Sequence, residues 1–190
     1  PSFPSYVLDA LKLGAVAKRV PLTEHCYDVE AILAEVGPQT KIVYLCNPNN
    51  PTGTMIGRSE IESYFERVPE HVLTVLDEAY FEYVESDDYP DGIAESVKQG
   101  RRALVLRTFS KIYGLAGLRV GYGVGPAEVV EAIAKVRNAF DINQTAQDAA
   151  RASIGNGAEI VRRRRETADE RSRLEEACRG LGLAVASPPV

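Results

Sequence analysis

Lys111 lies in the run Thr108-Phe109-Ser110-Lys111-Ile112-Tyr113-Gly114-Leu115-Ala116-Gly117-Leu118-Arg119, directly after an apolar, strand-like segment. A lysine is ordinarily a solvated surface residue. This one stands between two hydroxyl residues and a glycine-spaced turn, with an arginine eight positions on. An amine withdrawn from water is a nucleophile toward carbonyl carbons, so the expectation is a buried Lys111. Thr108 and Ser110 add hydroxyls and turn N–H groups, and Arg119 adds a bidentate fork for a phosphate. Together they suit a lysine that makes a covalent bond beside a bound phosphate. The plain alternative, a surface lysine and a structural arginine, leaves this run of residues unexplained.

Two other segments offer chemistry at the ends of apolar runs. Asn47-Pro48-Asn49-Asn50-Pro51-Thr52-Gly53 combines rigid turn residues with amide donors, and taken alone reads equally well as a turn after a strand. In Asp77-Glu78-Ala79-Tyr80, Asp77 can aim a carboxylate inward from the end of a buried strand. Tyr80 shares its side if a helical turn follows, and Ala79 is small enough for a flat ring to lie against it. Taken alone, this segment reads more readily as an N-cap aspartate with a packed tyrosine.

Alternating helices and short buried strands must position these residues. Helical spacing predicts helices over 5–17, over 28–36 after an Asp28 N-cap, and from a Ser59 cap to Arg67. Further helices are expected from Pro126 at the first helical position to about Asn138, over 143–154, and from about Ala158 to Arg179, ending near Gly180. Strands are expected at 41–46, 72–76, 103–107 and 120–125. Continuous apolar strands separated by helices predict a mostly parallel sheet covered on both faces, an α/β three-layer arrangement. Ligands of such sheets bind beyond the carboxyl ends of the strands, where all three segments fall. Arg162-Arg163-Arg164-Arg165 reads as a solvated face of the last helix, because Glu159, Glu166, Asp169 and Glu170 are interleaved with it.

The bulk composition is that of a globular chain, 45% hydrophobic and 26% charged over 190 residues. A net charge of -5 argues against nucleic acid as a general partner. No apolar run is long enough to span a bilayer, and no signal peptide opens the chain. Cys26, Cys46 and Cys178 are odd in number and widely spaced, so free thiols in a reducing cytoplasm are expected. His25 and His71 are far apart, and no metal site is expected.

The three motifs, in this order, resemble those of fold-type I pyridoxal 5'-phosphate (PLP) aminotransferases of class I/II. Pro1-Ser2-Phe3, Asp77-Glu78-Ala79-Tyr80-Phe81-Glu82-Tyr83 and Val136-Arg137-Asn138-Ala139-Phe140-Asp141-Ile142-Asn143 are most similar to the histidinol-phosphate aminotransferase branch. The resemblance covers essentially the whole chain. It implies the PLP-binding large domain over residues 1–180 and the start of a small domain over 181–190. The family's N-terminal arm and most of its C-terminal small domain would be lacking. Lys111 would hold PLP as an aldimine and shuttle the substrate proton. Asp77 would pair with the pyridine nitrogen, and Asn50 and Tyr80 would bond the phenolic oxygen. Thr108, Ser110 and Arg119 would bind the phosphate, while Phe3 and Ala79 would cover the two ring faces. The implied reaction is amino transfer between histidinol phosphate and 2-oxoglutarate, by a cytoplasmic homodimer. The core motifs also suit an aromatic or aspartate aminotransferase, a cobalamin-pathway decarboxylase, or the effector domain of a PLP-dependent transcription regulator. By itself the chain is expected to transaminate poorly, since no arginine for a substrate carboxylate is assignable.

Overall fold

The four apolar runs form one sheet. The computed structural model describes residues 2–186. In it β1 (Ile42–Cys46), β2 (Leu73–Asp77), β3 (Ala103–Thr108) and β4 (Gly121–Val124) lie in the order β1-β2-β3-β4. The first three are parallel, and β4 runs antiparallel to β3. Register pairs Cys46 with Asp77 and Asp77 with Leu106. The chain therefore leaves β1, β2 and β3 along one edge of the sheet. β4 packs so closely on β3 that a Cβ at Gly121 would lie 2.9 Å from the Arg107 carbonyl oxygen, which accounts for a glycine there.

Helices cover both faces. α2 (Val29–Glu35) and α3 (Arg58–Arg67) bring Val29, Ile32, Ile61 and Tyr64 onto Leu45, Ile56, Leu76 and Val105. The Tyr64 hydroxyl, fully buried, bonds Thr74 Oγ1 at 2.9 Å. The next residues along the strands, Val75 and Leu104, face the other way. There they meet Val129 of α4 (Ala127–Val136). This is the expected α/β three-layer arrangement. A third cluster joins Phe109 and Val120 to Ala146 and Ala150 of α5 (Gln144–Ile154), beneath the lysine turn. The long α6 (Gly157–Gly180) follows.

Asp28 caps α2 as expected, accepting from the Ala31 amide at 2.9 Å. Several boundaries differ from the periodicity. α1 spans only Ser5–Lys12, because Gly14 takes a left-handed φ of 70° and stops it. α3 is capped at Gly57, not Ser59: Glu60 folds back to bond the Gly57 amide, which places Ser59 inside the helix. Pro126 is the N-cap residue of α4, one position before the expected one, and α4 ends at Val136. Residues 181–186 form a turn and an irregular stretch, and the remainder of the expected 181–190 segment, with Pro1, lies outside the described residues. Among the described residues no helix is long and apolar enough to cross a membrane, and no cluster of three metal-ligating side chains occurs.

Candidate active site

The turn after β1 gives its three asparagines different work. Asn47 is buried and clips the returning chain through both amide atoms, donating to the Ile56 carbonyl at 3.1 Å and accepting from its amide at 2.8 Å. Asn49 donates to Thr52 Oγ1 at 2.8 Å, and its backbone closes the turn on Gly53 and Thr54. With the turn fixed from below, Asn50 Nδ2 is presented to the Tyr80 hydroxyl at 3.3 Å. Asn50 and Tyr80, both expected to bond the same cofactor oxygen, thus stand side by side.

The turn after β2 holds the Asp77 carboxylate by both oxygens. Oδ1 accepts from the Ala79 amide at 3.1 Å, and Oδ2 accepts from the Tyr6 hydroxyl at 2.5 Å. Tyr6 stacks on Tyr44 of β1, with centroids 4.6 Å apart and planes 12° from parallel. Burial, followed by the neighbouring Cys46 and Asp77, pushes the Tyr6 phenol far above its ordinary value, so it remains a donor. Phe3 meets Tyr6 edge-on at 5.6 Å and is itself exposed. Tyr80 begins a 3₁₀ turn over Phe81–Tyr83 rather than an α-helix.

The turn after β3 carries the lysine. Thr108 Oγ1 accepts from the Ser110 amide at 3.0 Å, and the Gly114 amide bonds the Lys111 carbonyl at 2.9 Å. Gly114 has a φ of 73°, a left-handed conformation that glycine adopts without cost. Arg119 also takes the left-handed region, at 53°, which strains a residue with a side chain. That conformation brings its guanidinium to Ser110 Oγ at 3.5 Å and to the Ala116 carbonyl at 2.7 Å. Lys111 Nζ lies 5.2 Å from the centre of the Tyr80 ring.

Lys111 and Arg119 are both exposed, which corrects the expectation of a buried amine. The reason is geometric. Phe109 and Ile112 of the turn point into the core, which leaves the Lys111 and Arg119 side chains on its outer side.

Three features escaped sequence reasoning. Tyr6 is one; its place three residues after Phe3, at the start of a helix, was the available signal. The second is a buried ionic network directly behind the site. Arg107, adjacent to Thr108, donates Nε and Nη2 to Glu78 Oε2 at 2.9 and 2.7 Å, and Nη2 to Asp91 Oδ1 at 2.8 Å. It also lies 3.5 Å over the Phe81 ring. Burial pushes the Glu78 carboxyl up to about 7 against the pull of Arg107. The third is the arginine run of α6, which is not wholly a solvated face: Arg163 and Arg164 reach backbone carbonyls of the two site turns.

Known proteins are similar over nearly the whole of this chain. The chain is 44% identical over 188 residues to an aromatic amino acid aminotransferase of Mycobacteroides abscessus, covering 99% of this chain and 53% of that protein. It is 48% identical over 171 residues to histidinol-phosphate aminotransferase 2 of Carboxydothermus hydrogenoformans, covering 90% of this chain and 47% of that protein. The structure superposes with a TM-score of 0.92 on histidinol-phosphate aminotransferase from Sinorhizobium meliloti in complex with pyridoxal-5'-phosphate. That pair is 30% identical, with 100% of this chain and 51% of the other covered. The chain thus spans about half the length of the curated relatives it matches. The family match runs from residue 1 to residue 189, and the chain belongs to the family described as aminotransferase class I and II.

Proposed function

We propose that this chain is the cofactor-anchoring core of a PLP-dependent aminotransferase, with residues 1–180 as the large domain and 181–190 as the start of a second. The carrying observation is the donor set at the three strand ends. An acid stands at β2, a paired amide and phenol link β1 to Tyr80, and an amine, two hydroxyls and a guanidinium stand at β3. That set fits the group: a carboxylate for a protonated pyridine nitrogen, donors for a phenolic oxygen, and an arginine with hydroxyls for a phosphate. Family membership and the PLP-bound structural relative support the same cofactor.

When bound, the cofactor supplies an aldehyde that captures amines and a ring that accepts the electron pair released at the substrate α-carbon. Asp77, fixed by Tyr6 and the Ala79 amide, holds the proton on the pyridine nitrogen as a neighbouring opposite charge does. Asn50 and Tyr80 donate to the phenolic oxygen. Arg119, Ser110 and Thr108 anchor the phosphate and fix the ring's orientation. Phe3 and Ala79 would cover the two faces of the cofactor's ring. Lys111 Nζ accepts and returns the proton at the substrate α-carbon.

The proposed donor and acceptor are histidinol phosphate and 2-oxoglutarate, in a cytoplasmic homodimer. A second reading, an aromatic amino acid donor, is favoured by relatives of that name matching 99% of the chain. Two measurements test the proposal. Borohydride reduction of the PLP-loaded protein is expected to fix the cofactor on the peptide holding Lys111, and Lys111→Ala to abolish the visible absorption band. A band that survives in Lys111→Ala overturns the lysine assignment. A half-transamination screen with histidinol phosphate, aromatic amino acids and aspartate decides the donor, and response to aspartate alone refutes both donor readings.

A further inference from the structure

The arginines at the start of α6 are of two kinds. Arg162 spends its guanidinium along its own helix, on Glu159 and Glu166. Arg163 and Arg164 reach beyond the helix. Arg163 donates Nε to Glu159 Oε1 at 2.7 Å and Nη1 to the Ile112 carbonyl at 2.8 Å. Arg164 donates Nε to the Glu82 carbonyl at 2.5 Å. Ile112 directly follows Lys111, and Glu82 lies two residues after Tyr80. Tyr113, the second residue after Lys111, stands near the Glu82 carboxylate; burial, then this neighbouring charge, pushes its phenol up to about 12. The helix thereby ties the lysine turn and the tyrosine turn together through two backbone carbonyls.

Gly114 makes the approach possible. A Cβ there would stand 2.8 Å from Arg163 Nη1, so the absent side chain leaves room for the guanidinium. The fork also explains the residue type. A guanidinium can satisfy Glu159 and Ile112 with separate, rigidly spaced N–H groups, which a lysine ammonium on a flexible stem does poorly. Lys111 itself is exposed and its side chain is flexible, so where its amine stands depends on where its backbone is held.

We propose that Arg163 and Arg164 are positioning residues, clamping the turn that bears Lys111 to the turn that bears Tyr80. The proposal rests on the role given to Lys111 above. Neither arginine touches the reacting atoms; each acts through a backbone carbonyl.

The test compares Arg163→Met, Arg163→Lys, Arg164→Met and, as a control on the same helix, Arg162→Ala. Without cofactor, amide hydrogen exchange of Gly114 is expected to quicken roughly tenfold in Arg163→Met, the loss of one hydrogen bond from a charged donor, while β2 and β3 amides are unchanged. With PLP bound, the pH midpoint of the visible band is expected to move and affinity to fall roughly tenfold. Arg164→Met should move the same midpoint, Arg163→Lys should recover part of the change, and Arg162→Ala should show none. Unchanged exchange at Gly114 overturns the clamp. Faster exchange with an unmoved band midpoint overturns the positioning role, leaving only a structural tie. Absence of any band in the unaltered protein refutes the Lys111 reading instead, and the exchange arm still decides the clamp.

Discussion

Replacing Arg107 with methionine would strand a charge directly behind the site. Glu78 is 2% exposed, and its Oε2 depends on two Arg107 N–H groups; Oε1 keeps the Gly92 amide at 2.9 Å. Removing one partner of such a pair costs about 3–5 kcal/mol. Here the lost stacking over Phe81 adds to the damage, and Asp91, which shares the same guanidinium, is left beside Glu78. The size of the loss depends on pH in a defined direction. The Glu78 carboxyl titrates at about 7 in the folded chain, above its ordinary 4.5, with burial as the main cause. Between those values the folded chain keeps a proton that the unfolded chain has released. The Glu78 contribution to stability therefore falls as pH rises through that window, by about 3 kcal/mol at most. Without the cation the folded value climbs further, because Arg107 pulls it down. The gap between Arg107→Met and the unaltered chain should thus widen above pH 7. At pH 5, where the carboxyl is neutral in both, it should shrink to about 1–2 kcal/mol of lost hydrogen bonding. Urea unfolding at pH 8 and pH 5 measures both values. Adding Glu78→Gln should recover most of the loss at pH 8, since the stranded charge is then gone. A penalty equal at the two pH values, or a double variant as unstable as the sum of its parts, refutes the reasoning.

Tyr6→Phe removes the donor at Asp77 Oδ2, a bond to a charged group worth about 1.5–3 kcal/mol, so PLP retention in equilibrium dialysis should weaken roughly tenfold; unchanged retention would mean that the Ala79 amide suffices. Asp28→Ala removes the N-cap of α2, the helix that carries Val29 and Ile32 into the core. It should cost about 1 kcal/mol and lower the thermal midpoint by about 2–4 °C, seen by circular dichroism.

The strands were legible because each parallel strand is a short apolar run that ends in turn chemistry. Ile42–Cys46 runs into Asn47-Pro48, and Ala103–Thr108 into the lysine turn. Helix existence was equally plain, while their ends were not, since Gly57 caps α3 through a Glu60 side chain that folds back on it. The exposure of Lys111 was illegible for a different reason. Residue types around an amine specify what it can bond, whereas its burial depends on which side of its turn faces the core. Contacts within a helix turn could be read: Glu159 does hold Arg162 and Arg163, as charge interleaving suggests. The same guanidinium's bond to Ile112 spans 51 positions, Arg164 reaches back 82 to Glu82, and Tyr6 reaches 71 to Asp77. No local pattern encodes such distances.

The asparagine turn shows how the two kinds of information combine. Asn47, Asn49 and Asn50 offer identical amides, and the sequence separates them only by position. Burial makes the distinction. Asn47 and Asn49 are 3% and 2% exposed, and a buried amide must be satisfied by the protein itself. Their side chains therefore go to Ile56 and Thr52, and the turn becomes rigid. Asn50, half-buried at the rim, is the one whose amide can face outward to Tyr80. Tyr80 is in turn held from behind by the 3₁₀ turn whose Glu82 carbonyl Arg164 grips. On the proposed reading Asn50 meets the cofactor because the buried amides of Asn47 and Asn49 are already committed within the turn. On the same reading Tyr6 holds Asp77, and Arg163 and Arg164 hold the turns of Lys111 and Tyr80, without themselves meeting the cofactor.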